Sequence, residues 1–273
     1  MPDRILNYIF GFILILFYVL FSSTDEQTRI AAALFLALSI SLLALLMNWL
    51  SLDGAFAAMI IGTIALGLGG IGSAFVLGLF FFSSYIIGYA LDRTDENKSI
   101  NQERRDGSQV WANSFWFISL ISLGYYFKDD LLYIAAAGSL AVAIADTWAT
   151  EIGTQVKNVK AYFILNFKRV EVGIDGGVSL PGTLGGLLGS LLLSIVYVLL
   201  SGYHSLLVFF VIGISGFLGC VADSYLGAIF QARKVEIRFL RYLALPAGLD
   251  NNGVNFVSTG IGALITLCYF WLG

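Results

Sequence analysis

The chain has 273 residues, of which 58% are apolar and only 12% are charged, and its mean hydropathy is +0.86. A soluble domain carries roughly 25% charged residues, so this composition excludes an ordinary soluble protein and predicts a polytopic membrane protein. The net charge of −3 gives no reason to expect nucleic acid as a partner. Cys220 and Cys268 lie inside apolar runs and are expected to be small core residues rather than a disulfide or metal ligands.

Hydropathy predicts an all-α fold with about nine transmembrane helices. In chain order the predicted spans are approximately 5–21, 30–50, 54–71, 73–91, 111–127, 131–152, 183–200, 205–230 and 253–272. The first span could be mistaken for a signal peptide, but the many spans that follow favour a membrane helix. We expect residues 1–273 to form a single integral membrane domain.

Basic residues lie mainly on one side of these spans. The loops 92–110, 153–182 and 231–252 hold twelve of the 15 Lys and Arg residues, and Arg4 adds one more. Nine spans place the three loops and the N-terminus on the same side, which the positive-inside rule assigns to the cytoplasm. The sequence therefore predicts a multi-pass protein of the cell membrane with a cytoplasmic N-terminus.

Two acidic tetrads follow long apolar runs, Ala-Asp-Thr-Trp at 145–148 and Ala-Asp-Ser-Tyr at 222–225. A carboxylate in lipid costs about 2.5–3.5 kcal/mol on insertion scales, so Asp146 and Asp223 are expected to face the protein interior and to be functional. Both lie towards the predicted cytoplasmic ends of their spans. Glu151, five residues after Asp146, is a further candidate, with a salt bridge at the membrane edge as the alternative.

Two loop elements suit a phosphate. Gly176 and Gly177 precede span seven, and a Gly-rich turn before a helix exposes backbone N–H groups at its positive end. Arg104 and Arg105 precede span five and could hold a phosphate bidentately. Each has an ordinary alternative, since Arg is common at a cytoplasmic edge and Gly-Gly is common in loops. The candidate phosphate-binding or nucleotide-binding residues are Arg104, Arg105, Gln109, Asn113, Asp175, Gly176, Gly177, Ser179, Asn252 and Asn255, and Asp53 and Asp250 are further candidates.

The carboxylates suit a hard cation. Mg²⁺ takes one or two carboxylates together with waters and substrate phosphates, so Asp146, Glu151 and Asp223 are the predicted metal ligands, and both Asp residues are predicted to be catalytic. Metal-held phosphates with positive groups around them are the parts that phosphoryl transfer needs. The sequence has neither a Walker-type phosphate loop nor a kinase-type loop, so a soluble nucleotide-binding fold is not expected.

Five of these motifs occur in a fixed order within residues 51–265. They are residues 104–113, 145–153, 175–179, 223–231 and 250–256. Together they resemble the DUF92-type integral membrane family, which includes plant and cyanobacterial phytyl-phosphate kinases. The resemblance implies Mg²⁺-dependent transfer of the γ-phosphate of a nucleotide, with CTP expected, to an isoprenyl monophosphate. The acceptor chain (phytyl, geranylgeranyl or farnesyl) and the oligomeric state stay open.

The chain departs from the family pattern at the start of span nine. The family usually has a second Asp where Asn252 or Gly253 stands. If that Asp binds metal in other members, the resemblance implies weaker metal binding here.

The same carboxylates also fit an ion-coupled transporter of a small anionic or polar solute. The two tetrads lie 77 residues apart and could belong to an internal repeat. A carrier's site should lie near the membrane midplane and be reachable from both faces. Because the polar motifs all fall in the predicted cytoplasmic half, the sequence favours an enzyme.

Overall fold

The structure, a computed structural model, describes residues 2–92, 104–156, 158–231 and 248–272. Its helices are α1 (Pro2–Leu16, continued by a π-helical turn at Phe17–Phe21), α2 (Thr24–Leu46), α3 (Leu52–Gly67), α4 (Gly70–Asp92), α5 (Gly107–Phe127), α6 (Asp130–Gln155), α7 (Leu180–Leu200), α8 (Leu206–Phe230) and α9 (Asn251–Leu272). Three short strands lie between α6 and α7, namely β1 (Ala161–Phe163), β2 (Arg169–Val170) and β3 (Gly177–Ser179).

The expected helical, polytopic membrane architecture is confirmed. Within the described ranges, seven helices are long and apolar enough to cross a membrane. Helix α3 is apolar but shorter, and α5 is not among the seven. The count of nine spans and the cytoplasmic side of the N-terminus therefore stay predictions, and parts of the basic loops, 93–103 and 232–247, lie outside the described residues.

Helix α6 is the centre of the bundle. It packs against α4, α5, α7, α8 and α9, and its residues 134–145 are all buried. Small residues allow this close approach, as at other membrane helix interfaces. A side-chain carbon at Gly216 of α8 would come within 2.6 Å of the Ala141 Cβ. Helix α8 turns a glycine face towards the bundle, since Gly216, Gly219 and Asp223 are all buried.

The polar motifs gather at one end of the bundle because α3, α5, α7 and α9 begin there while α6 and α8 end there. Short side chains fix three of these helix starts. Ser51, Asp106 and Ser179 each accept a hydrogen bond from the backbone N–H three residues later. Such caps satisfy N–H groups that a helix leaves without partners at its first turn.

The three-stranded sheet in loop 153–182 was not predicted. Strand β1 lies between β2 and β3 and pairs antiparallel with both, with Ala161 opposite Ser179. Phe163 and Ile164 are buried with Ala228 of α8. Gly176 has φ of +75°, and a side-chain carbon there would lie 2.6 Å from the Ala228 Cα. Only glycine fits this contact, which holds the loop against the end of α8.

The orientation can be tested with two exposed positions at opposite ends of the bundle, Asp175 and His204. Cys220 is buried as expected, but Cys268 is exposed, because its face of α9 turns outward. In a Cys268→Ser background, we expect a membrane-impermeant thiol reagent to label His204→Cys but not Asp175→Cys in intact cells. Both should react after the cells are opened. Labelling of Asp175→Cys alone in intact cells would show that the orientation is inverted.

Candidate functional site

An acidic pair lies at the end of the bundle where the polar motifs meet. The carboxyl groups of Asp146 on α6 and Asp223 on α8 lie within hydrogen-bonding reach of each other. Ser258 of α9 donates its Oγ hydrogen to Asp223 Oδ2 at 2.7 Å. Asp223 is only 9% exposed. Two carboxylates this close repel each other unless a proton or a cation lies between them, so the pair is suited to bind one.

Two polar cavities adjoin this pair. The first, here called the arginine cavity, has a volume of about 320 Å³ and is lined by polar residues that include Arg105, Gln109, Asn113, Glu151 and Asn255. The second, the glycine-loop cavity, has a volume of about 200 Å³ and is lined by residues that include 173–177, Ser179, Asp223 and Gln231. Asp146, Thr150 and Asn251 line both cavities. Asp146 therefore stands in the wall that the cavities share.

The predicted arginine pair is divided between two environments. Arg105 lines the arginine cavity and lies over the Phe80 ring, with Cζ 5.7 Å from the ring centroid. Burial lowers the pKa of Arg105, and the nearby charge of Glu151 raises it. Arg104 is exposed, donates a hydrogen bond to Asn48 Oδ1, and lines neither cavity. Arg105 is therefore the member of the pair placed to meet an anion.

Backbone hydrogen bonds explain this division. The N–H of Arg105 donates to the Trp49 carbonyl and the N–H of Ser51 donates to the Arg105 carbonyl, both at 3.1 Å. Asp53 reinforces the junction, because its carboxylate accepts from the Ser51 hydroxyl at 2.5 Å and from the Gly107 N–H at 2.9 Å. The segment before α5 is thus fixed to the segment before α3, with the Arg105 side chain directed inward.

Two buried amides face the cavities. Asn255 is 8% exposed, and its Oδ1 has no hydrogen-bond partner in the part of the chain that the structure describes. The same holds for Nε2 of Gln231 at the end of α8. Buried polar atoms of this kind usually have a partner in the functional state. Asn255 lies in the wall of the arginine cavity and Gln231 in the wall of the glycine-loop cavity, with both atoms covered by the surrounding protein.

The glycine turn differs from its expected form. Gly177 N–H donates to the Ile174 carbonyl at 2.8 Å, and residues 177–179 form strand β3. The expectation of a free N–H group at Gly177 was therefore wrong. The reason is that the turn closes on itself through this bond, after which the segment continues as a strand paired with β1. Asp175, Gly176, Gly177 and Ser179 nevertheless line the glycine-loop cavity, as a folded wall rather than an open turn.

Two other candidates have local structural roles at this end of the bundle. Asp53 bridges the starts of α3 and α5, as described above, and Asp250 accepts from the Gly253 N–H at 2.8 Å at the start of α9. Neither of them, nor Asn252, lines either of the two cavities formed by the described residues. Asn251 does so in place of Asn252.

Several lining residues were missed by the sequence prediction. They are Asn48, Thr147, Thr150, Cys220, Gln231 and Asn251. Helical spacing could have identified some of them, since Thr150 and Asn251 lie four residues from Asp146 and Asn255 on the same helix faces. Asn48 could not be found in this way, because it follows α2 in a left-handed conformation with φ of +61°.

The three predicted metal ligands are not all brought together. Among the described residues, no group of three or more His, Cys, Asp or Glu side chains is close enough to hold a metal ion. Glu151 lines the arginine cavity with Asp146, while Asp223 approaches Asp146 from the other side. The pair still fits Mg²⁺, which combines one or two carboxylates with waters and phosphates.

Comparison with known proteins assigns the chain to a family. The model of the integral membrane protein family DUF92 matches residues 35–263. The chain belongs to this family. The family membership expected from the five motifs is thus confirmed.

Three relatives are of similar or greater length. The chain is 28% identical to an uncharacterized membrane protein of Methanocaldococcus jannaschii, over 78% of this chain and 82% of that protein. It is 25% identical to Protein PGR of Arabidopsis thaliana, over 89% and 96% of the two chains. It is also 25% identical to the chloroplastic Protein VTE6 of Arabidopsis thaliana, over 82% of this chain and 66% of that protein. No solved structure matches the chain.

Cation binding at the acidic pair can be measured without turnover. We expect Asp146→Asn to raise the melting temperature of purified protein in EDTA, because one of two repelling carboxylates is removed. Mg²⁺ at about a hundred times its Kd should contribute about 2.7 kcal/mol of binding free energy to the wild type. We therefore expect it to raise the melting temperature of the wild type by roughly 5–10 °C. The variant should lose most of this increase.

The matched control is Asp25→Asn, which changes an exposed carboxylate at the start of α2, at the other end of the bundle. It should respond to Mg²⁺ like the wild type. An equal Mg²⁺ response in Asp146→Asn would remove the pair as a cation site.

Proposed function

We propose that this protein is a Mg²⁺-dependent isoprenyl-monophosphate kinase that uses a nucleoside triphosphate, with CTP expected. The observation that carries the proposal is the acidic pair, Asp146 and Asp223, at the junction of two polar cavities. A kinase of this kind must bring two phosphate groups together, and the two cavities offer one compartment for each. The position within a membrane helix bundle suits a lipid acceptor.

The reaction is a simple displacement. A terminal oxygen of the isoprenyl monophosphate forms a bond to the γ-phosphorus of the nucleotide. The bond from that phosphorus to the β,γ-bridging oxygen breaks, and its electron pair leaves with the nucleoside diphosphate. The acceptor oxygen is already ionised near neutral pH, so the protein needs to supply alignment and charge stabilisation rather than a covalent intermediate.

The residues present can supply both. Asp146 and Asp223 supply carboxylate oxygens of the kind that Mg²⁺ accepts. When bound, Mg²⁺ would offset the charge of the phosphates. The Arg105 guanidinium and the Gln109 and Asn113 side chains would hold one phosphate in the arginine cavity, and Gln231 with the loop 173–177 would hold the other.

The packing of α6 supports an enzyme over a carrier. Both polar cavities lie at the end of the bundle where α6 and α8 finish. Towards the other end, residues 134–145 of α6 are buried without interruption by neighbouring helices. A carrier needs its site to open to either face by moving one group of helices against another. A tightly packed central helix with small residues at its contacts opposes such a movement.

The direct test is an assay of the purified protein. Labelled CTP, ATP and GTP should be offered with farnesyl, geranylgeranyl and phytyl monophosphates, and the isoprenyl diphosphate product should be separated and counted. Formation of labelled diphosphate that needs both Mg²⁺ and an isoprenyl monophosphate would support the proposal. Solute uptake by proteoliposomes without any such product would favour the carrier.

The acidic pair should be essential for this reaction. We expect Asp146→Asn and Asp223→Asn to reduce kcat to less than about a tenth of the wild-type value, because each removes a charge that positions the phosphates through the metal ion. Folding should persist in both, as judged from melting temperature. Asp250→Asn is the control, because its side chain lies at the start of α9 outside both cavities. More than a tenth of the activity left in either variant would argue against a direct role.

The divided arginine pair provides a second comparison. Arg105→Lys keeps the charge but removes the planar fork, and we expect it to lower kcat/KM for one substrate by about 5–150-fold, or about 1–3 kcal/mol. Arg104→Lys should stay within about twofold, as exposed substitutions usually do. Equal effects of the two substitutions in steady-state kinetics would mean that Arg105 does not contact phosphate.

A further inference from the structure

An apolar groove runs along the outside of the bundle between α2, α3 and α4, with the first turns of α5 at one end. Small residues form much of its wall, namely Ala37, Ala44, Ala58, Gly62, Ala74 and Gly78. Its cavity volume is about 150 Å³. Small residues on three neighbouring helices leave a space that larger side chains would close.

The groove adjoins the arginine cavity. Phe81, Arg105, Gln109 and Asn113 line both. The polar end of the groove is therefore the wall that carries the Arg105 guanidinium, and from there the lining becomes apolar. The lining of the groove thus changes from the Arg105 cation at one end to hydrocarbon along its length. This matches a lipid monophosphate, whose charged head is joined directly to an apolar chain.

Resting on the proposed function, we propose that this groove holds the isoprenyl chain of the acceptor, with the acceptor phosphate at Arg105 in the arginine cavity. The nucleotide phosphates then occupy the glycine-loop cavity, on the other side of Asp146. This arrangement gives each substrate a compartment of suitable chemistry, since the glycine-loop cavity does not share the groove's lining. The phosphoryl group is then transferred from one cavity to the other next to Asp146, which lines both.

The groove guides only the first part of the chain. Its lining on α2 extends from Ala44 to Leu36, eight residues of helix or about 12 Å. Half the hydrocarbon thickness of a bilayer is about 15 Å. At the far end the wall opens outward, because Leu36 is 49% exposed and Ile40 is 39% exposed. A longer chain would continue into the bilayer, so the groove contacts the first part of the chain without measuring its full length.

Gly78 gives a precise way to fill the groove. A side-chain carbon there would meet only the Phe82 ring edge, at 4.0 Å, so a side chain can begin at this position in the groove wall without a clash at its first carbon. Replacing a helical glycine also removes a conformational cost of about 1 kcal/mol, which favours folding. Gly11→Leu on α1 is the matched control, because the space around Gly11 is open and lies outside the groove.

The experiment uses the full-length protein in lipid nanodiscs with CTP and geranylgeranyl monophosphate. We expect Gly78→Leu to lower kcat/KM for the acceptor by about tenfold or more, the usual effect of blocking part of a hydrophobic pocket. The KM for CTP and the melting temperature should hold, and Gly11→Leu should match the wild type in all three. Farnesyl and geranylgeranyl monophosphates should give similar kcat/KM values in the wild type, because their chains differ beyond the groove.

A binding measurement separates this inference from the proposed function. Geranylgeranyl monophosphate alone should raise the melting temperature of the wild type and of Gly11→Leu, but not of Gly78→Leu. If the wild type shows this protection but turns over no nucleotide with any acceptor, the kinase proposal fails and the groove stands as a lipid-phosphate site. The inference is overturned if geranylgeranyl monophosphate raises the melting temperature of Gly78→Leu, or if this variant turns the lipid over like the wild type. The groove would then hold an ordinary bilayer lipid.

Discussion

The burial of two carboxylates against each other at the end of a membrane helix bundle is the constraint on which the site depends. An acidic side chain in hydrocarbon is costly, and two adjacent ones repel. Asp223 tolerates this position with the help of Ser258, and Asp146 faces it from the most buried helix of the bundle. Such a pair is held in place by the packing of α6, α8 and α9 rather than by its own interactions. Its position between two cavities makes a bound cation the natural partner.

The packing of α6 explains why this pair can be so well positioned. A helix surrounded by five others has few alternative positions, and small residues at its contacts bring the neighbouring backbones close. Gly216 and Gly219 precede Asp223 on the buried face of α8, so the same close contact that joins α8 to α6 also sets the distance between the two carboxyl groups. The glycine face and the acidic pair are therefore parts of one arrangement.

Much of this could be predicted from the sequence, because depth in a membrane is encoded directly in hydropathy. The helices and the burial of Asp223 followed from composition and from the cost of a carboxylate in lipid. The division of Arg104 from Arg105 did not, since it depends on a backbone pairing of Leu50 with Arg105 across 55 positions of the chain. The choice of Asn251 over Asn252 depends on where Asp250 starts α9. Strand β3 is too short to leave a pattern.

Charge decides what else the site requires. Arg105 is the one basic residue among the described residues that line the two cavities, whereas Asp146, Glu151, Asp175 and Asp223 are acidic. Phosphate groups entering such walls would meet net repulsion, and a single guanidinium cannot offset both a triphosphate and a monophosphate. The carboxylate oxygens of the pair are hard ligands that suit a divalent ion. Such an ion would offset the repulsion, because it is attracted to the protein and to both phosphates at once. Under the proposed function, the acidic character of the cavities, which is unfavourable for phosphates alone, would become favourable when the phosphates arrive with their metal ion. The pair would then bind a metal–nucleotide complex rather than a free anion.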